Sequence, residues 1–234
     1  MWGFGRSGHG SGAAVWIAVL IATAFGMAGC TRAASPGPPV MHDATLSVDP
    51  AAVLLDAHHV DAAMGTTGAK VLDQGNAPDD TVDTNPPECH GLVYIAGEIE
   101  YASTNFTAMR WRIVGAENVS NVVEMVAQLP SVAKADEFID DQTKAWEACA
   151  GEVITTKEKA SKRTTSQDHV TAVRTRPHTV IASIDGVPGT SCQHGQHVLQ
   201  AVSNVILDVS TCGGSVSDPA EAIASKLAGR VHPG

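Results

Sequence analysis

Residues 192–212 read CQHGQHVLQAVSNVILDVSTC, two runs in which apolar and polar side chains alternate, 193–201 and 205–211, around Val202-Ser203-Asn204. A period of two is the pattern of a strand with one face buried, so the stretch predicts a β-hairpin. A register that folds near residue 202 sets position 192 opposite 212, within reach of a disulfide. Three further cysteines stand at 30, 89 and 149. With Cys30 assigned another role below, four remain, which in an exported chain implies two bridges and three possible connectivities. The hairpin selects Cys192–Cys212, and elimination leaves Cys89–Cys149. On a chain-entropy account each bridge is worth roughly 3 to 4 kcal/mol.

Outward from the hairpin the same period recurs. Residues 107–114 place Met109, Trp111 and Ile113 on one side of a strand and Arg110 and Arg112 on the other, and 121–129, 152–157, 168–174 and 178–185 read as further strands. Helical spacing marks three places. Asp49-Pro50 opens a helix with an N-cap and a proline at its first position, and Val53, Leu54, Ala57, Val60 and Met64 share its inner face up to Gly65. Ser131 caps a helix over 132–149 with Ala135, Phe138, Ile139, Gln142, Trp146 and Cys149 inward. Asp218-Pro219-Ala220-Glu221 is a capping box for a last helix that turns Ile223, Ala224, Leu227 and Val231 inward. The acidic, proline-containing stretch 73–88 reads as loop, and 89–101 is ambiguous, with a short helix carrying Leu92, Ile95 and Ile99. Short turns between strands with few intervening helices imply an α+β domain: an antiparallel sheet of about six to seven strands, with three main helices packed on one face.

The N-terminal region decides where such a domain works. Residues 13–25 form an uncharged apolar run, preceded by Arg6 and His9 and followed by Met27-Ala28-Gly29-Cys30. The run is shorter than the ~20 residues a transmembrane helix needs, and it has the length of a secretory h-region. A cysteine behind two small residues resembles the lipobox of bacterial lipoproteins, with Met27 where leucine is usual. That resemblance implies a diacylglyceryl group on the Cys30 thiol and an acylated new N-terminus. Each buried CH₂ contributes ~0.8 kcal/mol, so two or three chains make release from a membrane slow. The expected organisation is a lipoprotein signal peptide over 1–29, a lipidated flexible tether over 30–44, and one folded domain over 45–234. The domain is then held at the extracytoplasmic face of the cell membrane.

Charge excludes one class of partner. Without residues 1–29 the chain keeps 14 Lys and Arg against 25 Asp and Glu, a net charge of −11. Such a surface repels phosphate polymers, so no nucleic acid is expected. Catalytic motifs are missing too: the sequence holds no Gly-x-Ser-x-Gly elbow, no His-Glu-x-x-His, and no cysteine free of a structural role. His194 and His197, the nearest approach to a metal pair, sit an odd number apart in a strand and so point to opposite faces; no metal and no cofactor are expected. Arg110 and Arg112 form either a solvated face or an electropositive wall for an anionic ligand. Trp146, one turn before Cys149, is expected to cover the Cys89–Cys149 bridge.

Pro86-Pro87-x-Cys89, Tyr101, Trp146-x-x-Cys149-Ala150-Gly151 and Asn204-Val205-x-x-Asp208-Val209-x-x-Cys212 form one constellation. Together they resemble the PknH-like extracytoplasmic sensor domains of mycobacterial serine/threonine kinases, domains that also occur without a kinase in actinobacterial lipoproteins. The likeness covers roughly residues 45–232. It implies an antiparallel α+β domain, two disulfides and a ligand cleft, and it leaves no kinase in this chain, so signalling would run through a partner. The segment 157–168, rich in Lys, Thr and Ser, departs from the family pattern. The expected function is a non-catalytic sensor or ligand-binding domain of a cell-envelope lipoprotein. It would take an unknown small or lipidic ligand or an envelope protein, with Arg110, Trp111, Arg112 and Tyr101 as the ligand-site residues. Two other classes stand beside it: an envelope hydrolase acting on cell-wall or lipid substrate, and a structural partner in an envelope protein complex.

Overall fold

The computed structural model describes residues 45–116, 120–187, 192–214 and 216–231. The expected signal peptide, Cys30 and the tether lie outside the described residues. The strands are β1 (Lys70–Gly75), β2 (Val82–Asn85), β3 (Ala108–Ala116), β4 (Ser120–Gln128), β5 (Val153–Glu158), β6 (Thr164–Arg176), β7 (Thr179–Gly186), β8 (His194–Val202) and β9 (Val205–Cys212). They form one nine-stranded antiparallel sheet in the order β1-β3-β4-β9-β8-β7-β6-β5-β2. The helices are α1 (Pro50–Val53), α2 (Ala57–Met64), α3 (His90–Val93), α4 (Glu98–Tyr101), α5 (Val132–Ala148) and α6 (Pro219–Val231).

Helices cover both faces of the sheet, which corrects the expected one-sided arrangement. The central strands are apolar at consecutive positions: Val180, Ile181 and Ala182 are all buried, as are Val205, Ile206 and Leu207. Alternate residues must therefore enter two different cores. Val180, Ala182, Leu199 and Ile206 pack with Leu92, Tyr101 and the α5 residues Phe138, Ile139 and Trp146. Ile181, Val198, Leu207 and Val209 pack with α1, α2 and the α6 residues Ile223, Ala224 and Leu227.

Nine strands also exceed the six to seven expected, because β1 and β2 lie in or beside the stretch that reads as loop. Both are edge strands. The β1 residues from Lys70 to Gln74 are exposed and show no alternation, so the strand leaves no period in the sequence. The first helix is two helices rather than one. Asp56 accepts the His59 N–H at 3.0 Å and starts α2, while the Leu55 N–H at the break donates to the buried Glu124 carboxylate at 3.3 Å. Arg112 and Arg230 donate to the Leu55 and Leu54 carbonyls. Side chains from the sheet and α6 thus satisfy backbone groups that a continuous helix would have paired internally.

The hairpin forms with a different register from the one expected. Val202 pairs with Val205 and Gly195 with Cys212, so the chain reverses between Ser203 and Asn204, with Ser203 at φ 57°. Cys192 lies beyond the strand and returns to Cys212 with a Cα–Cα distance of 5.4 Å. Glycine at 195 makes that return possible, since a Cβ there would sit 3.0 Å from the Thr211 carbonyl oxygen and 3.5 Å from the Cys192 sulfur. Asn204 in the turn also binds the start of the domain: its Oδ1 accepts from Leu46 N at 2.6 Å, and its Nδ2 donates to the Leu46 and Leu129 carbonyls at 3.1 and 2.9 Å.

Cys89 and Cys149, 60 residues apart, join the 3₁₀ turn Pro87–Cys89 to the C-terminal end of α5, with a Cα–Cα distance of 5.8 Å. Replacing both by alanine is expected to lower stability by about 2–4 kcal/mol in urea denaturation. An unchanged midpoint and slope would show that this bridge does not constrain the chain.

Candidate functional site

After β2, the chain runs through α3, α4 and the 3₁₀ turn Ala102–Thr104 before reaching β3. The path bends at Ala96, which takes a left-handed φ of 57°. A neighbouring loop holds the bend: Asp79 N–H donates to the Ala96 carbonyl at 2.8 Å and the Asp79 carbonyl accepts from Glu98 N at 3.0 Å. The Tyr94 hydroxyl donates to the Asp79 carboxylate at 2.5 Å. Held at this bend and at Cys89, the segment stands beside α5 and leaves a groove of about 320 Å³ between them. Ile99, Phe138 and Ala145 supply apolar lining, and Glu100, Gln142 and Ser103 supply polar groups. Glu88, Thr104, Lys134, Glu137 and Asp141 complete a lining that is mostly polar, and a concavity of this size with apolar side chains set among polar groups can hold a small molecule.

A buried polar chain ties this wall of the groove to the sheet. Tyr101 Oη donates to Asp208 Oδ2 at 2.9 Å, Asp208 Oδ1 lies 2.5 Å from His197 Nε2, and His197 Nδ1 lies 2.7 Å from the Leu92 carbonyl oxygen. A carbonyl oxygen only accepts, so Nδ1 carries a proton. The other ring nitrogen faces a carboxylate, so the His197–Asp208 pair shares one further proton between them. Trp146 packs on the imidazole with ring centroids 4.4 Å apart, and Phe138 packs on Tyr101 at 4.9 Å. His197 and Trp146 are both fully buried. These groups position the groove wall; burial keeps them from meeting a solute.

Burial above all, then the nearby Asp208 charge, holds the Tyr101 phenol well above its ordinary value; burial first and the Asp79 bond second do the same for Tyr94. These are the only two tyrosines of the chain. A folded-state value raised in this way gives stability that is intact below pH ~10 and drains as pH rises beyond it, because the unfolded chain releases protons that the folded one keeps. Alkaline titration is therefore expected to show no tyrosinate absorbance near pH 10 while the fold persists. Stability should fall by up to ~1.4 kcal/mol per pH unit for each phenol. Two phenols ionising near pH 10 in the intact fold would contradict the burial and bonding described for both.

The four residues expected to form a ligand site do not converge. Tyr101 is buried and bonded to Asp208. Trp111 lies across the β1–β3 pair from Gly75, where a Cβ would sit 2.4 Å from the indole, and its Nε1 donates to the Ala77 carbonyl at 2.8 Å. It borders a separate, smaller concavity of about 150 Å³ with Tyr94 and Val123. Arg110 and Arg112 share a side with Val114, on the core that packs α1, α2 and α6. The Arg112 charge is met by Glu124, with Nε 2.6 Å from Oε1. The face thus carries an ion pair at this position instead of an electropositive wall. His194 and His197 do point to opposite faces, the first exposed with Asp185 at 2.8 Å. Trp146 shares a buried cluster with Cys89 and Cys149.

A model of the PknH-like extracellular domain family matches residues 47–230 of this chain. The chain belongs to that family. The serine/threonine-protein kinase PknH of Mycobacterium bovis is 30% identical over 236 residues, an alignment covering 95% of this chain and 37% of the kinase; that of Mycobacterium tuberculosis is 30% identical over 235 residues, covering 95% and 35%. The chain thus spans little more than a third of the length of these relatives. The crystal structure of the extracellular domain of PknH from Mycobacterium tuberculosis superposes with a TM-score of 0.73 at 26% identity, covering 82% of this chain and all of that one. The domain is an extracytoplasmic one by family, and no helix among the described residues is long and apolar enough to cross a membrane.

Proposed function

We propose that this chain is a cell-envelope lipoprotein, anchored through Cys30, whose domain binds a small or lipidic ligand outside the cytoplasmic membrane and catalyses no reaction. The observation that supports it is the groove beside α5, in which Ile99, Phe138 and Ala145 stand among polar side chains, backed by a polar chain that fixes one wall to the sheet. The hydroxyls that line it do not form a nucleophile–base pair among the described contacts; Thr104 Oγ1 donates to the Tyr101 carbonyl at 2.8 Å. Function of this kind reads occupancy and passes it on to a recipient. One observation favours the alternative of a structural partner in an envelope complex. At the edge of the sheet among the described residues, β1 leaves Val71 and Leu72 42% and 48% exposed, a surface on which another strand could add.

Hydrogen–deuterium exchange on the full chain, with and without polar lipids extracted from the native envelope, separates these readings. Ligand binding in the groove slows exchange in 98–104 and 132–146. Protection confined to 70–75 on mixing with envelope proteins favours the structural partner, and hydrolysis of the added lipid would establish an enzyme. For the anchor, Cys30→Ala is expected to move the protein from the membrane to the soluble fraction and to remove acyl mass from the N-terminal peptide.

A further inference from the structure

We infer that the groove beside α5 takes an amphiphile with an amine head and a linear apolar chain; this rests on the reading of the groove as the ligand site. The head position is built around Glu100. Its side chain is 8% exposed and lines the groove, and both carboxylate oxygens lie 3.0 Å from one donor, His90 Nδ1. A carboxylate offers about four lone-pair positions, so a single shared N–H leaves most of its accepting capacity open toward the groove. Gln142 stands beside it, with no hydrogen bond among the described contacts. Two glycines clear the space. A Cβ at Gly97 would lie 2.3 Å from Glu100 Oε2, and one at Gly91 would lie 2.8 Å from Glu100 Cγ and 2.7 Å from Gln142 Oε1. The carboxylate and the amide therefore meet over Gly91, and no side chain with a Cβ fits beneath them.

The rest of the lining agrees in charge and shape. Lys134 is the one cation of the groove and is already paired with Glu137, while Asp141 is paired outward with Lys144. Glu88 and Glu100 remain as acceptors without a lysine or arginine partner, so a carboxylate or phosphate head would meet like charge and an ammonium would meet charge-assisted acceptors. From Lys134 to Ala145 the helix rises about 16 Å, which sets the length of the trough. Ile99, 63% exposed, and Phe138 face a chain lying in it. Isolated exposure of a large aliphatic residue is ordinary, but here it borders a concavity that also holds the largely buried Glu100 carboxylate.

Titration calorimetry of the full chain with dodecylamine, dodecanol and dodecanoate, each kept below its micelle concentration, tests this. Dodecylamine should bind at least tenfold more tightly than dodecanoate. Glu100→Gln keeps the shape and the His90 contact and should bring the two within threefold; Ala145→Trp fills the trough and should abolish binding of all three. If Glu100→Gln does not fold, Gln142→Leu serves, and should weaken the amine by several-fold while leaving dodecanol unchanged. Equal or tighter binding of dodecanoate, or a preference that survives Glu100→Gln, overturns the headgroup inference and leaves the groove reading standing. Failure of all three probes to bind, or binding indifferent to Ala145→Trp, overturns both.

Discussion

Asp208→Ala is expected to lower the stability of the domain by about 3–5 kcal/mol, the cost of removing one partner from a buried charged or shared-proton pair. The carboxylate is the hub of the polar chain. Without it the Tyr101 hydroxyl and His197 Nε2 lose their partners inside a sealed core, and burial gives neither access to water. Tyr101→Phe removes one bond only and should cost about 1–3 kcal/mol, so a double-mutant cycle should show the two losses to be strongly non-additive. The effect extends to function, because His197 and Tyr101 hold Leu92 and the end of α4, and these carry the groove wall. Urea denaturation reads the stability, and hydrogen exchange over 90–104 reads the loosening. A change under 1 kcal/mol for Asp208→Ala would mean that the pair is hydrated and the wall is held by other contacts.

Arg112→Met should have a comparable effect, about 3–5 kcal/mol near neutral pH, on the opposite face. Glu124 is fully buried, and burial already raises its carboxyl despite the Arg112 hydrogen bond and charge, which act the other way. Losing the guanidinium strands that carboxylate with the Leu55 N–H at 3.3 Å and a more distant Arg230. A folded-state value raised still further makes the penalty smallest in acid, where both states hold the proton, and makes it grow as pH rises through the folded-state value. The pH profile of the stability difference between wild type and Arg112→Met should therefore slope in that direction. Arg112→Met combined with Glu124→Leu should recover much of the loss, since an apolar pair can replace a buried ion pair. A flat profile would show that Glu124 reaches solvent.

Those two pairs also mark where the sequence was legible and where it was not. Met109, Trp111 and Ile113 announce β3 because they alternate with Arg110 and Arg112, and Ser131 announces α5 because its side chain accepts the Lys134 N–H at 3.3 Å. The second helix layer leaves no mark in the sequence because burial on both faces erases alternation, as in Val205, Ile206 and Leu207, and a continuous apolar run carries no information on which face each residue meets. The arginines at 110 and 112 read as a possible ligand wall because the partner of Arg112, Glu124, sits on another strand and is brought opposite only by register. Glu100 and Gln142 were invisible as a site for the same reason in sharper form. They lie 42 positions apart, one in a single helical turn and one on a helix face that its spacing assigns to the core. The available signal was a pair of glycines, Gly91 and Gly97, lying between His90 and Glu100 in a segment too short for periodicity.

The most direct test of the ligand-binding account is native mass spectrometry of the full chain purified gently from its own envelope, wild type beside Ala145→Trp. The account predicts a small molecule retained by the wild type, released on unfolding, and absent from the filled-groove variant. Wild-type protein that carries nothing, or both proteins carrying the same adduct, would contradict it.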